Sequence, residues 1–242
     1  MPRFTNMTIG TVLASGMRYA DEDLTLRELL SYEVRSPLSF KGFNADKDGR
    51  YTFRADCFPS MHWSRQREYP WALYLGDVCN HHRVLDVGAG TSVFQLALAK
   101  RSRTVVTVDT DTDNVKAMAE LSDLCLVPYS QPVRGDVRRL PFADGSFDRV
   151  FCLSVLEHMR DGHRTALNEL SRVVKPGGKL ILTFDVTVSG GRQGADFFVD
   201  EPAALGMLAY LGADEVPRLE YSLMRYDDVG KDIYTMMVCC VA

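Results

Sequence analysis

The six cysteines of this 242-residue chain, at positions 57, 79, 125, 152, 239 and 240, include no C-x-x-C pair, and several fall inside apolar, strand-like runs. They read as small buried hydrophobes in a reducing compartment. No stretch reaches the about 18 consecutive apolar residues of a membrane span, and the opening MPRFTNMTIG lacks the apolar core of a signal peptide. A cytoplasmic protein without a membrane partner is expected. A basic surplus is missing too. The net charge is −4, split as +1 over residues 1–70 (ten basic, nine acidic) and −5 over the remainder (eighteen basic, twenty-three acidic). A nucleic-acid partner is therefore not expected, and Arg134, Arg138 and Arg139 read as solvated surface charges. There is no internal repeat and no low-complexity segment. With 46% hydrophobic and 25% charged residues, the chain suits one large α/β domain plus an elaboration.

What is there centres on Arg83 to Ser92, RVLDVGAGTS, followed directly by VFQLALAK. An apolar run, an acid, two glycines two apart and a helix-like run describe a buried strand turning sharply into a helix. Gly88 and Gly90 can adopt backbone angles closed to other residues, and their lack of Cβ atoms lets a ligand lie against the main chain. In open α/β sheets ligands bind beyond the carboxyl ends of the strands, which is where this turn sits. A dinucleotide fingerprint needs a third glycine at position 93, where this chain has Val93, so a nicotinamide cofactor is disfavoured.

Downstream, strands and helical runs alternate: TVVTVD, DNVKAMAELSDL, a short strand near PVRGD, FDRVFCLS, a helix from Asp161 to Val174, and KLILTFDV. That order implies right-handed crossovers and a parallel sheet with helices on both faces. The closing strands LEYSLM and IYTMMVCCV, joined by a short polar connection, form an antiparallel pair.

The first 75 residues are expected to form an α+β cap ahead of a domain spanning 76–242. Asp21 to Val34 has apolar residues at helical spacing. Two aromatic-bearing runs around Asn44–Gly49 suggest a hairpin. The Asn44-x-Asp46-x-Asp48-Gly49 turn imitates the start of an EF-hand loop, but position twelve is Ala55 instead of a glutamate, so no metal is expected. Met61 to Leu75 gathers both tryptophans with Tyr69, Tyr74, Arg65 and Arg67. It is either an anchor packed on the main domain or a lid over the ligand.

The acid-x-Gly-x-Gly turn, with Asp109 ending the next strand, resembles the binding motif of class I S-adenosylmethionine-dependent methyltransferases. Three further segments resemble their type 11 small-molecule branch. They are Gly135-Asp136-Val137 with Leu140-Pro141-Phe142 and Asp144 to Asp148, then Ser154-Val155-Leu156-Glu157-His158, then Glu169 to Gly178. The resemblance covers residues 83–186 and implies a Rossmann-like, seven-stranded, mostly parallel sheet whose last strand is antiparallel. It implies S-adenosyl-L-methionine as cofactor, S-adenosyl-L-homocysteine as product and a small-molecule acceptor. A protein that keeps the fold and cofactor site without transfer activity is the alternative. Residue roles follow from the resemblance. Asp86, Gly88, Ala89 and Gly90 lie along the methionine portion, Asp109 accepts from the ribose hydroxyls and Thr110 lies beside the adenine. Asp136 accepts from the adenine amino group near the Val137 amide, and Leu153 or Ser154 lines the reactive end. His158, after the fourth strand, is the candidate general base, with Glu157 behind it; a helix-surface histidine is the competing reading. In a lid, Arg65 or Arg67 pairs with the cofactor carboxylate while Trp63, Tyr69 or Trp71 faces the sulfonium. Ser92, where the family often has a third glycine, caps the following helix. Gly177 ends a helix in a left-handed conformation, with Lys175 at its carboxyl end. The acceptor and the oligomeric state stay open.

Overall fold

The structure, a computed structural model, describes residues 4, 6–11, 33–35, 44–45, 50–52, 65–90, 92, 94–124, 130–187, 199–212, 224–226 and 231–242. In chain order these are β1 (Asn6–Thr11), β2 (Glu33–Arg35), β3 (Asn44–Ala45), β4 (Arg50–Thr52), α1 (Arg65–Gly76), β5 (Arg83–Val87), α2 (Phe94–Arg101), β6 (Thr104–Asp109) and α3 (Thr112–Leu124). They continue with β7 (Ser130–Arg134), β8 (Phe147–Leu153), α4 (His163–Val173), β9 (Val174–Thr187), α5 (Glu201–Leu211), β10 (Met224–Tyr226) and β11 (Lys231–Val241). Among the described residues, no helix is long and apolar enough to cross a membrane.

Val84 to Val87 are buried because β5 lies inside the main sheet, with β6 on one flank and β8 on the other. A parallel strand covered on both faces needs a continuous apolar run, and the sequence supplies one there. Strands β9, β8, β5, β6 and β7 are parallel in that spatial order, and β11 runs antiparallel to β9. These six strands are the expected mostly parallel sheet with its antiparallel last strand. Two more bring the sheet to eight in place of seven. Strand β1 pairs antiparallel with β11 from Asn6 opposite Val241 to Thr11 opposite Met236, and the short β10 pairs at Met224 opposite Ile233. Strand β1 comes from the part of the chain expected to stand apart as a cap. Strand β10 starts at Met224, the last residue of the expected LEYSLM strand, whose other residues lie outside the described ones.

Helices cover both faces. On one, α4 and α5 bury Leu167, Leu170, Leu208 and Leu211 against Leu85, Val106, Leu180 and Val238. On the other, α1 and α2 bury Trp71, Leu73, Phe94 and Leu98 against Val84, Phe151, Ile181 and Met237. At Trp71, which is 2% exposed, the aromatic stretch packs into the core as an anchor. Trp63 and the side chains of Arg65 and Arg67 lie outside the described residues.

Strands β2, β4 and β3 form a second, small sheet, and β3 and β4 pair antiparallel as the expected hairpin. Of the expected helix over Asp21 to Val34, residues 21–32 lie outside the described ones, and Glu33 and Val34 belong to β2. Gly177 is not a helix terminator. Helix α4 stops at Val173 because Val174 is already extended, and Gly177, at φ +76°, sits where the β8–β9 register shifts. Lys175 pairs at 2.9 Å with Asp148 rather than with the helix end. Arg172 explains much of the Leu140–Asp148 motif. Its guanidinium donates to Glu169 and Asp144 and to the carbonyls of Leu140 and Phe142, clamping that loop onto α4.

Candidate functional site

The carboxyl ends of β5, β6 and β8 open into a half-open cleft of about 200 Å³. Of the residues expected there, it brings together Gly88, Asp109, Thr110, Val137, Ser154 and His158, with Val155 between the last two. Asp86, Ala89, Gly90, Asp136 and Leu153 do not form its wall, and neither does Glu157, which is buried.

The glycine turn is tied to β6 by amide bonds from Gly88 (2.7 Å) and Ala89 (3.2 Å) to the Val108 carbonyl. Both glycines have positive φ, +70° and +55°, but for different spatial reasons. A Cβ on Gly88 would stand 2.3 Å from Val155 Cγ2, so its absence lets the wall close up. At Gly90 a Cβ would meet nothing within 4 Å, so this is the position that leaves room beside the main chain. Ser92 caps α2 as expected: its Oγ accepts from the Phe94 amide at 3.0 Å and is held 2.7 Å from Tyr69 Oη.

Asp109 is fixed by main-chain amides on both carboxylate oxygens: Gly90 donates to Oδ2 and Asp111 to Oδ1, each at 2.9 Å. Each oxygen retains lone-pair capacity, so a 9% exposed carboxylate presents two pre-aimed acceptors to the cleft. Asp86 lies behind the turn, and its buried Oδ2 has no hydrogen-bond partner. Burial, and secondly the charge of Asp109, push its carboxyl up to about 8. A buried acid perturbed in this way next to a cleft marks a candidate functional group. Asp136 is placed differently. Its carboxylate takes three contacts of 2.7–3.1 Å from the Arg138 guanidinium, which hold it below the usual carboxylate range.

Ser154 ends β8 with φ +50°, a conformation that a residue with a side chain rarely holds. It persists because its amide donates to both the carbonyl (2.9 Å) and Oγ1 (3.1 Å) of Thr183. Its Oγ lies 3.3 Å from both carboxylate oxygens of Glu68, a fully buried acid on α1. Sequence reading missed Glu68, whose one signal is an acid set directly before the aromatic run Tyr69-Pro70-Trp71. Leu153 turns the other way, into the cluster with Phe94 and Phe151. His158 closes the 3₁₀ turn Leu156–His158, with its side chain exposed on the cleft wall.

Compared with known proteins, residues 85–182 match the family described as methyltransferase domain. An uncharacterized methyltransferase of Mycobacterium sp. (strain JLS) is 34% identical over 135 residues, 53% of this chain and 45% of the relative. A demethylmenaquinone methyltransferase of Mycolicibacterium vanbaalenii is 39% identical over 100 residues, 41% of this chain and 40% of the relative. The chain thus spans under half the length of these curated relatives. Among solved structures, the YcgJ protein of Bacillus subtilis superposes with a TM-score of 0.59 at 16% identity, over 73% of this chain and 98% of that one. At that identity the likeness shows the fold.

Proposed function

We propose, from the match of residues 85–182 to the family described as methyltransferase domain, that the protein binds S-adenosylmethionine in this cleft and transfers its methyl group to a small-molecule acceptor. The observation that carries the reading is Asp109, whose two oxygens are locked by amides of the glycine turn and of the next helix's approach while still facing the cleft. That geometry suits the paired hydroxyls of a ribose. The open space at Gly90 and the unpartnered Asp86 Oδ2 fit a ligand carrying an ammonium group along the turn. Thr110 and Val137 flank the adenine end, and Asp136 meets the adenine amino group only by sharing its carboxylate with Arg138.

When bound, the cofactor supplies a methyl group on a positively charged sulfur, already activated for displacement. The chain's part is alignment, a contribution of roughly 7–11 kcal/mol in favourable cases. Ser154 and Val155 border the acceptor side, and the buried Glu68–Ser154 pair holds the end of β8 in place. His158 lies on the same wall, where an imidazole can remove a proton from an acceptor that must lose one. The curated relatives named for demethylmenaquinone, and the acidic net charge, favour a small molecule over a nucleic acid.

S-adenosylmethionine and S-adenosylhomocysteine should raise the melting temperature while NADH does not, because a ligand of the native state stabilises it by mass action. Formation of S-adenosylhomocysteine that depends on a small-molecule fraction of cell extract tests the transfer itself; with binding but no such formation the transfer reading fails. His158→Ala should lower turnover about 10²-fold, at the low end for a base because the side chain is exposed, with cofactor affinity unchanged. Steady-state kinetics beside calorimetry check this, and unaltered turnover removes His158 from the chemistry.

A further inference from the structure

Cys79, His81 and His82 stand together in the loop joining α1 to β5, at the opposite end of the strand from the glycine turn. Cys79 does not fit the expectation of a buried hydrophobe, which Cys152, Cys239 and Cys240 do meet: it is half-buried and beside two imidazoles. Its Sγ lies 3.3 Å and 3.4 Å from the two ring nitrogens of His81, and the rings of His81 and His82 meet edge to face at 4.6 Å. The Cys79 amide donates to His82 Nδ1 at 3.2 Å, so that nitrogen turns its lone pair into the loop. One ligand atom from each residue lies within 4.8 Å of the other two.

We propose that Cys79, His81 and His82 form a binding site for a borderline-soft divalent cation of the Zn²⁺ kind, with a fourth position open to water. Zn–S and Zn–N bonds of about 2.3 and 2.0–2.1 Å at a tetrahedral angle place sulfur and nitrogen about 3.5 Å apart. The Cys79–His81 pair already has close to that separation, and His82 brings a third donor within 4.8 Å of both. One thiolate and two imidazoles select such a cation over Mg²⁺ or Ca²⁺, which take oxygen donors. Binding expels the thiol proton, so the site gains one negative ligand as the ion enters. The backbone is set for it: the Asp77 amide bonds the Leu73 carbonyl (3.1 Å) and the His82 amide bonds the Cys79 carbonyl (3.0 Å). Behind the loop, Arg149 is engaged with the carbonyls of Gly76 and Asp148. Five residues of β5 at about 3.3 Å each set the ion about 16 Å from the cleft. It would pin the end of α1 to the start of β5 without touching the transfer chemistry, and the inference stands apart from the proposed function.

The test is a Co²⁺ titration of the full chain in a non-chelating reductant. A thiolate-to-cobalt charge-transfer band should saturate at one equivalent and vanish when Zn²⁺ is added. Cys79→Ser should abolish the band. His81→Ala, at an exposed side chain that leaves the fold alone, should weaken Co²⁺ binding by no less than the about 10- to 100-fold that losing an outer-shell partner costs. No saturable band, a band that survives Cys79→Ser, or unchanged affinity in His81→Ala would each overturn the site.

Discussion

Replacing Asp86 with asparagine should make the unliganded protein more stable at pH 7 while weakening its hold on the cofactor. In the folded chain, burial first and the Asp109 charge second raise this carboxyl from 3.8 to about 8. A folded-state value above the unfolded one contributes stability that is whole below pH 3.8 and is lost as pH rises toward 8. Across that window the unfolded chain has released the proton and the folded chain has not, so stability falls by about 1.4 kcal/mol per pH unit. Asparagine does not titrate, and its variant lacks the slope. At pH 7 the difference is of the order of 4 kcal/mol in the variant's favour. Urea unfolding of both proteins at pH 4.5 and pH 7.5 checks it, and parallel stabilities at the two pH values would mean that Asp86 is not held neutral. Its buried, unpartnered Oδ2 is the acceptor that an ammonium group along the glycine turn would meet. The same variant should therefore bind S-adenosylhomocysteine more weakly.

Trp71→Ala should lower the free energy of unfolding by about 3–5 kcal/mol, the usual cost of emptying a large aromatic site in a core. Trp71 shares its cluster with Phe94, Phe151, Ile181 and Met237, between α1 and the sheet. Glu68 to Leu73 are all buried, and β1 pairs along β11. A chain beginning near Leu73 would lose the first eight residues of α1 and all of β1, and should fail to fold as the full chain does. Chemical denaturation of the Trp71 variant, and circular dichroism of the shortened chain, supply the readings. A native-like truncated protein would return the aromatic stretch to the role of a removable lid.

Strands β5, β6 and β9 were legible because each is buried on both faces and so is written as a mainly apolar run, VLDV, VVTV and LILTF, broken by one polar residue. The glycine turn and Asp109 were legible because few residue types can occupy a positive-φ turn or present two acceptors at a strand end. Strand β1 was not, since Asn6 pairs with Val241 at the far end of the chain and only tertiary contact selects so short a strand. Helix α1 hid its role for another reason. Six consecutive buried residues leave no polar face, so periodicity could not tell anchor from lid. Asp136 has a local partner that the motif did not reveal, since Arg138 two residues on contacts the carboxylate. Gly177 kept its left-handed angle but in a strand irregularity, a distinction that sequence spacing does not carry.

The central claim is that the cleft at the glycine turn holds the ribose of S-adenosylmethionine against Asp109. Calorimetric titration of S-adenosylhomocysteine into the wild-type protein and into Asp109→Ala tests it most directly. The predicted result is saturable one-to-one binding in the wild type and a loss of at least about 1.5–3 kcal/mol in the variant, the range for hydrogen bonds to a charged group. Equal affinity in the two proteins, or no saturable heat in the wild type, would contradict it.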